Sequence, residues 1–286
     1  MESLGLINGN LVDLNEKVIS MEDRGHQFGD GVYEVVKVYN GQCFALKPHL
    51  DRLYRSLRSI RIPATYTFEE LVEFHELLIE KSGITEGAIY LQITRGTAPR
   101  IHSFPEKIVP CLTMSIRSAA AVNNQLWEKG VKVSLVPDER WLRCDIKSLN
   151  LLGNILAKQQ AKEADSYEGV MVRGEHVTEG TSSNFFVIKD EIIWTYPATQ
   201  LILKGVTRTI VLEKLAKELE MTILEKPFDV NFMKGASEAF LSGTSTEIMP
   251  VIRIDDRLVG DGTVGPMTRK IQAAYTRLID EECGRT

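Results

Sequence analysis

The apolar residues of this chain change period within its first sixty positions and keep changing along its length. Residues 32–39 read VYEVVKVY, a run of strand formers between Gly31 and an Asn40-Gly41 pair that marks a hairpin turn. Directly afterwards Leu50, Leu53, Tyr54, Leu57 and Ile60 recur at helical spacing, which predicts a helix over 48–60. A second helix is expected over 68–81, where Leu71, Phe74 and Leu78 share a face. Strands are expected at 88–95 and 108–116, separated by RGTAPRIHSFPEK, a loop punctuated by Pro99 and Pro105. Residues 118–124, SAAAVNN, read as a domain junction. Beyond it come a strand at 131–136, a helix over 149–163 capped by Ser148 or Asn150, strands at 169–172, 185–188 and 192–196, and helices over 207–220 and 268–281. Strands and helices mix without regular alternation, which predicts an α+β fold in two domains, 1–120 and 121–286.

A length of 286 residues allows one large domain or two modest ones, and the 43% apolar share supplies a sizeable core. The net charge of −5 argues against nucleic acid or an anionic membrane as the main partner. No apolar run reaches the ~18 residues of a membrane span. The start, MESLGLINGN, has no basic stretch followed by an apolar core, so a soluble, cytoplasmic protein is expected. Cys43, Cys111, Cys144 and Cys283 are too scattered for a zinc knuckle or a redox pair, and no metal is expected. His75-Glu76 lacks the second histidine of a zinc protease. Residues 260–265, GDGTVG, match a dinucleotide-binding pattern, but too little chain follows for the strand that the motif needs, so a turn before a helix is expected.

Several residues could carry chemistry. Lys147 lies between an apolar run and an expected helix start, where the helix dipole and partial burial would lower its pKa and make it a nucleophile toward aldehydes. The same position also suits a solvated lysine at a helix boundary. Glu179, in VTEGTSSNFF, could hold a protonated ring nitrogen or be an exposed turn residue. The backbone amides of Val206 and Thr207 open a helix and could face an anion, as could the hydroxyls of Ser242 and Thr244. One of Arg52, Arg55 and Arg58 could turn inward to the same anion. In an extended loop Arg100 and His102 point the same way and could together grip a carboxylate.

FGDGVYEVV (28–36), HLDRL (49–53), RGTAPRIH (95–102), DIKSLNLLGN (145–154), VTEGTSSNFF (177–186), LKGVTR (203–208) and LSGTSTEI (241–248) occur in that order. Together they resemble the motif set of pyridoxal-phosphate enzymes of fold type IV, and within it the chain is most similar to the D-amino-acid transaminases. The resemblance implies a smaller N-terminal and a larger C-terminal domain, pyridoxal 5'-phosphate between them, and a homodimer. It makes Lys147 the Schiff-base lysine and Glu179 the partner of the pyridine nitrogen. Arg52, Val206, Thr207 and Thr244 would bind the phosphate, with Ser242 and Ser183 nearby. Arg140 would support Lys147 and Glu179, and Leu203 would pack on the ring. Tyr33, with Arg100 and His102 from the neighbouring subunit, would hold the substrate carboxylate. Gly243 departs from the pattern, which has a hydroxyl residue there.

The implied reaction moves an amino group from a D-amino acid such as D-alanine or D-glutamate to a 2-oxoacid such as 2-oxoglutarate or pyruvate, with ping-pong kinetics. Lys147 would act as both base and acid at the substrate Cα. Handedness follows from where the carboxylate is held, because only the bond that faces Lys147 is broken. Branched-chain aminotransferases and aminodeoxychorismate lyases share the fold but generally lack the Arg-x-His pair. They are the alternative reading.

Overall fold

A computed structural model describes residues 3–119 and 124–285, and its contacts divide the chain into two units. The first comprises Met1–Ala120, Ile146–Asn150 and Ile279–Thr286, and the second Ala121–Asp145 and Leu151–Leu278. The expected junction lies in large part at 120–123, outside the described residues. A single cut near residue 120 misses two segments. The short one, 146–150, joins the first unit because it pairs with a strand there. Ser148 bridges Val32, the Leu149 amide donates to the Gly31 carbonyl at 3.0 Å, and the Tyr33 amide donates to the Lys147 carbonyl at 3.0 Å.

The first unit holds a sheet of β1 (Leu4–Ile7), β2 (Asn10–Val12), β3 (Gly31–Tyr39), β4 (Gln42–Cys43), β5 (Gly87–Thr94) and β6 (Cys111–Ser118). The spatial order is β2-β1-β6-β5-β3-β4, with every neighbouring pair antiparallel. Asn40 and Gly41 take φ of 48° and 74° and close the β3–β4 hairpin, as the Asn-Gly pair predicts. Helices α1 (Arg24–Phe28), α2 (Leu46–Ser59) and α3 (Phe68–Ser82) accompany the sheet. Leu50, Leu53 and Leu57 of α2 and Leu71 and Leu78 of α3 share one core with Val32, Ile89 and Leu91. Thr67 and Glu70 form a capping box at the start of α3, which Gly83 ends in the left-handed region. Helix α2 starts two residues before Pro48, since proline lacks only an N–H that a first turn leaves unbonded. The strand expected from 108 begins at Cys111, just past Pro110.

The second unit contains α4 (Asn124–Lys129), β7 (Val131–Pro137), α5 (Leu152–Glu163), β8 (Glu168–Arg173), β9 (His176–Gly180), β10 (Asn184–Lys189) and β11 (Ile192–Thr195). It continues with α6 (Val206–Ile210), α7 (Ala216–Glu218), β12 (Thr222–Glu225), α8 (Val230–Met233), β13 (Glu238–Gly243), β14 (Glu247–Ile254), β15 (Arg257–Leu258) and α9 (Pro266–Cys283), the last of which belongs to the first unit from Ile279 on. The sheet order is β12-β11-β10-β13-β14-β7-β8-β9, with β15 attached to β14. It is mixed, with β12/β11, β14/β7 and β7/β8 parallel. Phe186 and Phe240 stack across β10 and β13 with centroids 4.6 Å apart.

Three local expectations change. Glu179 lies on β9, paired with β8, rather than in a turn. Helix α5 begins at Leu152, and neither Ser148 nor Asn150 caps it. The helix expected over 207–220 is widened by a π-type segment at Val211–Leu215. The glycine motif at 260–265 is a turn, with Gly260 and Gly262 at positive φ. The amides that open α9 are already taken: Met267 and Thr268 donate to the Glu238 carboxylate at 3.0 and 2.7 Å. A side chain on Gly265 would overlap that carboxylate, so the chain's own acid fills the position that a nucleotide phosphate would need.

Candidate active site

In the first unit Lys147 lies on an extended segment, five residues before α5, so no helix dipole acts on it as the sequence had suggested. Its backbone is held on both sides: the carbonyl accepts from Tyr33 and the amide donates to Ser56 Oγ at 3.3 Å. Its Nζ stands 4.2 Å from the centroid of the Tyr33 ring, a cation–π distance. Tyr33 in turn stacks on Tyr90 at 5.7 Å. Burial pushes the Tyr90 hydroxyl up to about 12, so this support is neutral. Lys147 and Tyr33, expected in different roles, are therefore in contact.

Arg52 is buried on α2 and faces inward, as anticipated for one arginine of its helix. Two of its nitrogens donate to Glu34, Nε to Oε1 at 2.7 Å and Nη2 to Oε2 at 2.8 Å. His49 Nδ1 donates to the same carboxylate at 2.8 Å, since an ionised carboxylate only accepts. Burial tends to raise the Glu34 carboxyl, but the Arg52 charge and hydrogen bonds, with His49, bring it down to about 2. Burial lowers the pKa of His49, which leaves it neutral at pH 7. The residue-type reading missed both Glu34 and His49.

Arg100 and His102 both lie against the Phe28 ring, at 4.9 Å and 5.5 Å. Both are exposed, as is Ile101 between them. The structure therefore brings this expected pair against one aromatic ring.

The second unit gathers the acid site. Glu179, 4% exposed, accepts from Arg140 Nη1 at 2.6 Å and Asn184 Nδ2 at 2.9 Å. The Leu203 amide reaches both of its oxygens at 3.1 and 3.2 Å. Burial pushes the Glu179 carboxyl up to about 7 against the pull of Arg140. Arg140 is itself gripped by Asp138 through Nε and Nη2, both at 2.9 Å. Burial would raise the Asp138 carboxyl, but hydrogen bonds from Arg140 and Arg173 hold it below the usual range. Asn184 also donates to the Leu203 carbonyl at 2.9 Å, and a side chain on Gly205 would overlap Asn184 Oδ1. Leu203, expected only as packing, thus contributes its backbone as well. Asp138 and Asn184 were not singled out in the sequence.

Val206 and Thr207 are buried first residues of α6, whose N-cap Gly205 offers no side chain. Their amides fall in the first turn, where no intrahelical acceptor exists. Thr244 is half-buried in the β13–β14 turn. Ser242 Oγ is buried, with no hydrogen-bond partner among the described residues. Ser183 is turned elsewhere: its hydroxyl donates to Glu168 Oε2 at 3.3 Å. A Cβ on Gly243 would meet nothing closer than 3.6 Å, so steric need does not explain the glycine that replaces the expected hydroxyl residue.

Residues 31–254 match the amino-transferase class IV family. The chain is 45% identical to the D-alanine aminotransferase of Staphylococcus aureus strain COL over 275 residues, 96% of this chain and 97% of that one. It is 42% identical to the D-alanine aminotransferase of Listeria monocytogenes serotype 1/2a strain 10403S over 282 residues, 98% and 97% of the two chains. The branched-chain amino acid aminotransferase of Escherichia coli superposes with a TM-score of 0.90 at 26% identity, over 97% of this chain and 95% of that one. The chain belongs to the class IV aminotransferases.

Proposed function

We propose that this aminotransferase moves the amino group of D-amino acids to 2-oxoacids, with D-alanine and D-glutamate as donors and 2-oxoglutarate and pyruvate as acceptors. The observation that carries the reading is the near-full-length likeness to D-alanine aminotransferases. The fold alone does not separate them from branched-chain enzymes, which share it at lower identity. The Arg100 and His102 pair on Phe28 supports the same choice.

The cofactor is pyridoxal phosphate, which supplies an aldehyde for the amino group and a ring that withdraws electrons from the substrate Cα. The residues fit it. Ser242 Oγ is an orphaned buried donor of the kind that a phosphate oxygen satisfies. The amides of Val206 and Thr207 and the Thr244 hydroxyl would join it, as would Arg52, whose guanidinium is held by Glu34. Glu179, fixed by Arg140, Asn184 and Leu203, would hold a proton at the ring nitrogen. Leu203 would cover the ring. Lys147 would carry the cofactor and, as a free amine, move the proton at Cα through Nζ. Tyr33 holds that amine against its ring face.

Arg100 and His102, supplied by the neighbouring subunit of a homodimer, would bind the substrate carboxylate beside Tyr33. An apolar face supports a second copy: Leu152, Ile155 and Leu156 of α5 are 59–68% exposed, and Trp141 and Leu142 are exposed too. Four free cysteines suit the cytoplasm. The test is an enantiomer assay. D-alanine with 2-oxoglutarate should yield pyruvate and L-alanine should not. Turnover of L-leucine or L-valine alone would overturn the reading.

A further inference from the structure

The first unit contains a second set of buried charges, apart from Glu34 and Arg52. Asp30, in the FGDG stretch, accepts from two arginines: Arg24 Nε and Arg95 Nε each donate to its Oδ2 at 2.8 Å, and Arg95 Nη2 donates to Oδ1 at 2.9 Å. Both guanidinium groups are buried, their side chains 4% and 1% exposed. Each then reaches the loop that carries Arg100 and His102. Arg24 Nη1 donates to the Ile101 carbonyl at 2.6 Å, and Nη2 reaches the His102 carbonyl at 3.4 Å. Arg95 lies over the Phe104 ring at 3.7 Å.

We propose that Arg24, braced by Asp30, is a positioning residue that aims Arg100 and His102 at the substrate carboxylate. The inference rests on the carboxylate-binding reading of those two residues. Ile101 sits between them, and by holding the Ile101 and His102 carbonyls Arg24 restrains the backbone from which the two side chains leave, beside the tight turn in which the Ile101 amide donates to the Pro99 carbonyl at 2.7 Å. Phe28 then sets how they lie, because its ring meets Arg24, Arg100 and His102 at 4.8, 4.9 and 5.5 Å. A buried arginine whose Nε is committed to a carboxylate has little freedom to pivot. The exposed loop is thereby organised before substrate arrives, which removes an ordering cost from binding.

The experiment follows the half-reaction of the holoenzyme with D-alanine alone, read from the loss of the cofactor's yellow absorbance. Arg24→Ala should raise the half-saturating D-alanine concentration about tenfold, with the limiting rate largely kept. Asp30→Asn should show the same split, and Arg24→Lys should recover part of it. Arg100→Ala is measured alongside. If Arg100→Ala shifts half-saturation and Arg24→Ala does not, the positioning role is wrong and the carboxylate reading stands. If neither shifts it, both are wrong. A loss of limiting rate with unchanged half-saturation also contradicts the proposal. Should Arg24→Ala fail to fold, Arg24→Lys is judged by the same criteria.

Discussion

Glu34 shows how one side chain can be legible in sequence and still be missed. On a strand with a period of two, residues 32, 34, 36 and 38 share a face, and Val32, Val36 and Val38 are all fully buried. A glutamate on that face is a charge on the core side, which calls for a cation. Arg52 and His49 arrive from α2 to supply it, and only tertiary structure brings them there. The folded carboxyl is near 2 against an ordinary 4.5, so the ionised form is favoured on folding. That stabilisation, about 3 kcal/mol from the size of the shift, is fully present above pH 4.5 and is lost as pH falls toward 2. Urea unfolding from pH 5 to pH 3 should therefore show a steep loss for the wild-type chain and a flatter one for Glu34→Gln. Equal slopes would contradict the assignment. Lys147 makes the opposite point. Its residue type and neighbours mark it, but the helix-start argument fails because the helix begins later.

Among the elements, ends and interruptions were harder to read than cores. Stripes such as Leu50, Leu53 and Leu57 locate α2 directly, because burial selects them. The strand β9 was hidden because VTEG is short and polar at its centre, although Thr178 and Glu179 are both buried. Their burial is stabilised by Asp138, Arg140 and Asn184, none adjacent in sequence. The turn into α6 depends on Gly205 for a related reason. Its φ of −64° is available to any residue, so the glycine is required by the close approach of Asn184. Gly205→Ala should push Asn184 away from Glu179. The expected cost is roughly 1–3 kcal/mol of stability, as for other overpacked sites, together with weaker retention of pyridoxal phosphate. Thermal unfolding and a cofactor titration check this, and a variant unchanged in both would refute it.

For the whole molecule, the α+β class was readable from irregular mixing of strands and helices. The assignment of 146–150 to the first unit was not, because it depends on backbone pairing with β3 that no local pattern announces. Function follows the same division. The architecture is common to aminotransferases of different specificity, and we propose that the preference for D-amino acids rests on Arg100 and His102, whose loop is held by the buried Arg24. All of these roles depend on Lys147 being the residue that carries the cofactor. Reduction of the yellow holoprotein with borohydride, followed by peptide mapping, measures that directly. The cofactor's mass should appear on the peptide containing Lys147 and on no other lysine; an adduct elsewhere, or none at all, would contradict the account.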